Sequence, residues 1–119
     1  MSAGMSAAFS IKETGFSASA VKLRAVTDDD VLCKISNNRY SIREIKPGTY
    51  KFYVTAWSSA KMPKLALELP VEAGKTYYLR MVTQKHYWGG DQYFFQEITY
   101  NSAKPLLEKC EEEKECGIN

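Results

Sequence analysis

The sequence predicts an all-β sandwich of about seven or eight strands closed by a short C-terminal helix, with a partly open barrel as the alternative arrangement of the same strands. Three observations predict it. Short runs alternate apolar with polar residues, the two-residue period of a half-buried strand. Glycine, proline and asparagine recur between these runs as turn residues. Aromatics make up 13% of the 119 residues, with eight tyrosines, five phenylalanines and two tryptophans, and such side chains favour pleated, half-buried surfaces.

The elements follow in order. Phe9 to Glu13 reads as a first short strand and Thr14 to Ser19 as a loop of small and polar residues. Val21 to Val26 sets Val21, Leu23 and Ala25 against Lys22 and Arg24. Thr27-Asp28-Asp29-Asp30 breaks this run, and Val31 to Ile35 returns beside it as a hairpin partner. Ser36-Asn37-Asn38 is a turn, because asparagine tolerates positive φ. Arg39 to Ile45 alternates again, with Tyr40 and Ile42 on one side. Lys46-Pro47-Gly48 is a second turn, with proline pre-setting φ and glycine supplying the positive φ of type II geometry.

Thr49 to Trp57 is the longest run. Neither of its faces is strongly polar, which places it centrally in a sheet. Leu65 to Glu72 points Leu65, Leu67, Leu69 and Val71 one way. Pro70 lacks an amide to donate, so this strand belongs at an edge. Ala73-Gly74-Lys75 turns the chain into Thr76 to Thr83. Tyr93 to Tyr100 is the last long strand. A helix then opens at Asn101 or Ser102 as cap, with Pro105 in its first turn and Leu106, Leu107 and Cys110 as an apolar stripe.

The domain plan is one unit over residues 9–110. Residues 1–8 read as a disordered leader or an added remnant, and 111–119 as a charged tail of fraying helix or loose chain. Met1 to Ser6 has neither a basic flank nor an apolar stretch, so it does not read as a secretion signal.

Composition narrows function by exclusion. A formal net charge of +2, with no basic cluster, argues against nucleic acid as a partner. No run approaches the ~18 apolar residues of a membrane span. The three cysteines, Cys33, Cys110 and Cys116, include no CxxC pair, and the chain has one histidine, so structural zinc is not expected and no metal or cofactor is implied. Cys33 reads as a small buried hydrophobe. Cys110 and Cys116 could pair if the tail folds back, but along one regular helix they would stand about 9 Å apart, so a bridge requires the helix to end between them.

The irregular stretch His86-Tyr87-Trp88-Gly89-Gly90-Asp91 is the candidate ligand surface, with Trp57 as an additional aromatic. Adjacent aromatics beside flexible glycines present flat faces suited to sugars or protein side chains. Its structural counterpart is a hairpin tip with Trp88 folded back over the core. His86 with Asp91 is a weak metal or proton-relay pair, and a hydrolase centred on His86 is the least supported reading. A catalytic serine or cysteine would need that histidine as base, and no GxSxG or Cys-His signature, GxGxxG or P-loop accompanies it. Asp28-Asp29-Asp30 lacks the spacing and glycine of a calcium loop. Glu68 and Glu72 share one strand face and read as solubilising charge. No catalytic residues are assigned, and a non-enzymatic role is expected.

Two phrases carry a family resemblance: Ile45-Lys46-Pro47-Gly48-Thr49-Tyr50, and Val71-Glu72-Ala73-Gly74-Lys75-Thr76-Tyr77-Tyr78-Leu79-Arg80. With the Asn-Asn-Arg-Tyr turn before them and the helix Ala103 to Cys110 after, they resemble a bacterial family of small secreted or lipid-anchored β proteins of unknown function. Its members carry PPGKHT followed by EAGKTYYLR. The match runs from about Phe9 to Cys110, and Lys46 replaces the first proline. The resemblance implies a compact β-sandwich and an address in the cell envelope, periplasmic or lipid-anchored. It supplies no activity. The expectation is a non-catalytic binding or structural module of the bacterial envelope, with an envelope protein or a glycan as partner. The alternative is a small carbohydrate-binding domain using Tyr87, Trp88 and Trp57. Exposed strand edges also offer pairing between copies of the chain.

Overall fold

The computed structural model describes residues 5–12, 23–27, 30–36, 38–55, 66–84 and 92–114. Within them the chain forms β1 (Ser6–Lys12), β2 (Leu23–Thr27), β3 (Asp30–Ile35), β4 (Arg39–Ile45), β5 (Gly48–Thr55), β6 (Leu67–Val71), β7 (Thr76–Gln84), β8 (Gln92–Ile98), α1 (Tyr100–Lys109) and β9 (Glu111–Glu112). The strands make two sheets, a five-stranded one in the order β8-β7-β1-β4-β9 and a four-stranded one in the order β3-β2-β5-β6. Two stacked sheets make a sandwich, as the alternation of the sequence implies.

The core between the sheets collects the inward residues of both. Leu23, Ala25, Cys33, Ile35, Phe52, Val54, Leu69 and Val71 come from the four-stranded sheet; Ala8, Ile45, Leu79, Met81 and Phe95 come from the other. The central place expected for the Thr49–Trp57 run is that of β5, between β2 and β6. The edge place expected from Pro70 is that of β6, where Pro70 lies opposite Thr49.

Both glycine-led phrases do something the sequence reading did not anticipate. They are expected to reverse the chain within a sheet. Instead each carries it from one sheet to the other: β4 to β5 through Lys46-Pro47, and β6 to β7 through residues 72–75. The two crossings lie side by side, because Gly48 pairs with Val71. Each is tied by a tyrosine just after it. The Tyr50 hydroxyl donates to the Lys46 carbonyl at 2.6 Å, and the Tyr77 hydroxyl accepts from the Glu72 amide at 2.8 Å. Gly48 has φ +150° rather than the value near +80° of a type II turn, a backbone conformation that glycine allows and side chains rarely adopt. Gly74 has φ +76°, and its amide donates to the Met5 carbonyl at 3.1 Å. The crossing therefore also anchors the start of β1. The asparagine turn behaves as expected, with Asn38 at φ 64°.

Strand β1 begins at Ser6, earlier than expected, because it has partners along its whole length. It runs antiparallel to β4 from Ser6 opposite Ile45, and parallel to β7 from Ala7 opposite Thr76. Ser6, Ala7 and Ala8 are therefore buried in the sheet rather than part of a leader.

The C-terminal region departs furthest from expectation. The helix starts at Tyr100 with Thr99 as its cap, the Thr99 hydroxyl accepting from the Ser102 amide at 3.3 Å. That earlier start puts Pro105 inside the helix rather than in its first turn. Proline there removes one helical hydrogen bond, and it does so on an exposed stretch where water can replace it. The apolar stripe docks as expected. Ala103, Leu106, Leu107 and Cys110 pack with Ile11, Tyr40, Tyr78 and Ile98 on the outer face of the five-stranded sheet.

Beyond the helix, residues 111–114 are ordered against β4 rather than loose. Glu111 and Glu112 form β9 parallel to β4, with the Glu111 amide donating to the Asn38 carbonyl at 3.1 Å and the Glu113 amide to the Tyr40 carbonyl at 2.7 Å. The acidic run has a cation to meet: Arg39 lies 3.5 Å from Glu111 and 3.9 Å from Glu113. The Ser36 amide donates to the Glu113 carboxylate at 3.2 Å. Cys33 is buried as expected, but it is disulfide-bonded and so is more than a small hydrophobe. Cys110 is a buried thiol.

Gly74 gives a clean test of this backbone. A Cβ there would meet nothing within 4 Å, so a substitution costs only conformational energy. Gly74→Ala is expected to lower the unfolding free energy by about 1–2 kcal/mol and Gly74→Asn by less, since asparagine tolerates the left-handed region. Urea unfolding of the two variants measures the difference.

Candidate functional site

The outer face of the five-stranded sheet is the most distinctive surface of the molecule. Alternation along β1 sends Ala8 inward and sends Phe9 and Ile11 outward. Pairing then sets Phe9 opposite Ile42 on β4 and opposite Tyr78 on β7. The rings of Tyr40, Phe9, Tyr78 and Tyr100 form a continuous row. Phe9 stacks on Tyr40 at 6.0 Å and 21°, and meets Tyr78 at 5.0 Å and 36°. Tyr78 meets Tyr100 at 5.6 Å and 49°. These separations suit attractive ring contacts.

The row changes character along its length. At Tyr40 it passes under the helix and belongs to the packed cluster. At the other end Tyr100 is 54% exposed, and Ile42 beside the row is 40% exposed. A row of aromatics that begins in a core and ends in solvent has a rigid base and an open end.

The open end faces a cleft of ≈ 440 Å³ lined by Thr76, Tyr77, Tyr78, Glu97, Ile98, Thr99 and Tyr100. Hydroxyls dominate this lining, with one carboxylate and the ring faces of Tyr78 and Tyr100. Burial, and to a lesser degree the neighbouring Tyr100, push the Tyr78 phenol above its ordinary value, so it stays a neutral hydrogen-bond donor. The cleft thus offers donors, acceptors and ring surface together, the mixture that orients a polar ligand with an apolar face.

Two other places on the described surface and interior carry polar groups. A hollow of ≈ 470 Å³ beside β9 is lined by Arg39 and residues 111–114. Its arginine is already engaged by Glu111 and Glu113, so the hollow is a seam of the C-terminal segment. The second place is a buried polar row inside the sandwich: Ser6, Ser10 and Lys12 on β1, with Ser41 opposite Ser10. The Ser6 hydroxyl donates to the Glu72 carbonyl at 2.5 Å, while the Ser41 hydroxyl is buried with no hydrogen-bond partner. Desolvation lowers the basicity of Lys12. An amine and hydroxyls in one buried place are nucleophile-type groups, yet neither cleft is lined by any of them. The outer face is accordingly the stronger candidate.

The residues singled out in the sequence, His86, Tyr87, Trp88, Asp91 and Trp57, lie outside the described residues, as do Asp28 and Asp29 of the acidic run. The strands bracketing the aromatic stretch do form the expected hairpin, with Gln84 opposite Gln92. Glu68 and Glu72 are exposed, and Glu72 is ion-paired with Lys75. Among the described residues there is no group of three or more His, Cys, Asp or Glu side chains placed to hold a metal. No helix among them is long and apolar enough to cross a membrane. The aromatic row was missed in the sequence because its members come from three strands and a helix. The available signal was β1 itself, where Phe9 and Ile11 alternate with small residues as if two layers covered the strand.

No family model, curated protein or solved structure is significantly similar to this chain.

Lys12 gives the buried polar row a pH signature. Its folded-state value lies below the ordinary 10.5, so between that lowered value and 10.5 the unfolded chain holds more protons than the folded one. Stability contributed by this residue therefore rises as pH climbs through that window and is lost as pH falls. Lys12→Met is expected to flatten the rise in urea midpoint as pH is raised toward 10.5, relative to the parent.

Proposed function

We propose that the protein is a non-catalytic binding module of the bacterial cell envelope, and that its ligand surface is the open end of the aromatic row on the outer face of the five-stranded sheet. The observation that carries this reading is Tyr100. It extends a packed row of rings into solvent beside a hydroxyl-lined cleft, where a large side chain gains little from folding. The address rests on two things. The glycine-led phrases resemble those of secreted and lipid-anchored proteins. Cys33 is disulfide-bonded, and such bonds persist in oxidising compartments rather than in the cytosol.

The ligand class the cleft favours is carbohydrate. A sugar ring has an apolar face to lay on Tyr78 or Tyr100 and an equatorial rim of hydroxyls for Thr76, Thr99 and Glu97. This keeps the carbohydrate-binding alternative drawn from the sequence but moves its centre to residues on a sheet face and a helix start.

Tyr100→Ala separates binding from packing. As a half-exposed substitution it is expected to change stability by no more than about 0.5 kcal/mol. On an array of envelope glycans and peptidoglycan fragments the parent is expected to bind at least one class. The variant is expected to bind it about tenfold more weakly, the equivalent of ~1.4 kcal/mol. A parent that binds no glycan contradicts the carbohydrate reading, and equal binding by both proteins removes the cleft from the account.

A further inference from the structure

We infer that Cys33 is crosslinked to Cys116, and that this bond clasps the C-terminal segment across the open side of the sandwich. The chain has three cysteines. Cys33 is disulfide-bonded and faces the core between the sheets. Cys110 is a thiol on the opposite side of the five-stranded sheet, packed with Ile11 and Ala103 in the outer cluster. The sheet itself separates these two, which leaves Cys116 as the partner within the chain.

The path of the described segment, which ends at Lys114, leaves Cys116 within chain reach of Cys33. After β9 the Glu113 carboxylate accepts from the Ser36 amide, just beyond the end of β3. Cys33 lies three positions before Ser36 in the chain, and Cys116 three positions after Glu113. Each such span covers at most about 10 Å. The chain on either side of a contact the structure already makes is therefore long enough for the two cysteines to meet.

The location gives the bond its consequence. β3 is the edge of the four-stranded sheet and β9 the edge of the five-stranded one. Polar contacts already bridge this side, including the Arg43 guanidinium donating to the Leu32 carbonyl at 3.2 Å. A covalent bond there holds the two sheet edges together. It also fixes the C-terminal end of α1, which covers the packed end of the aromatic row. The clasp is redox-dependent. Two thiols lose two protons and two electrons as they join, and a small disulfide such as oxidised glutathione takes them up in becoming two thiols. A dithiol reductant reverses the exchange.

Trypsin distinguishes the pairings, since cleavage after Lys109 and Lys114 puts Cys110 and Cys116 on different peptides. The folded protein is alkylated without reductant, unfolded, digested and analysed by mass. The expected product is residues 25–34 linked to residues 115–119, lost on adding dithiothreitol, with Cys110 recovered as a thiol in residues 110–114. Residues 25–34 linked to 110–114, or Cys33 alkylated without reductant, overturns the crosslink. Under native conditions dithiothreitol is expected to speed cleavage after Lys114 at least about tenfold, because proteolysis follows local opening. An unchanged rate overturns the clasp even if the bond is found.

Discussion

Strand β1 is buried on both faces, and the rest of the molecule is arranged to make that possible. Its side chains are covered on the inward side by the four-stranded sheet and on the outward side by the C-terminal helix and the rings of its neighbours. A strand with apolar or small residues on both faces needs two layers against it. The chain supplies the first through its two glycine-led crossings and the second by returning at the end as α1 and β9. The crossings also secure the start of β1, through Gly74 to Met5 and Ser6 to Glu72. The beginning, middle and end of the sequence thus meet on one strand.

The candidate site is a by-product of the same arrangement. Helix α1 is short and covers only part of the outer face. Where it covers, Ile11 is buried against Ala103 of the helix and Tyr40 is packed beside them. Where it does not, Ile42 remains in solvent, as does Tyr100 at the helix's own start, while their neighbours are held by packing. A rigid aromatic surface binds with little ordering cost. This is why the boundary of the helix is the place proposed for a ligand.

Much of the sandwich could be read from the chain because its determinants are local. Alternation in Arg39–Ile45, the turn at Asn38 and the edge position marked by Pro70 each depend on a few adjacent residues. What could not be read depends on separated ones. Nothing in Lys46-Pro47-Gly48 distinguishes a turn within a sheet from a crossing between sheets, because both need a positive φ and a tether. Glu111 to Glu113 read as a solvated acidic run because the cation that orders them, Arg39, lies far away in sequence. The aromatic row is invisible for the same reason: Phe9, Tyr40, Tyr78 and Tyr100 are neighbours only after the sheet has formed and the helix has crossed it.

The central claim is that β1 holds both layers, and native-state amide hydrogen exchange tests it most directly. If the claim is right, the amides of Ala8, Ser10 and Ile11 exchange only through global unfolding, as slowly as the most protected amides of β7, and they lose protection together with the helix-facing Tyr40. If those β1 amides exchange through local opening well below the global unfolding free energy, while β5 and β7 stay protected, the two-sided packing of β1 is not what holds the fold together.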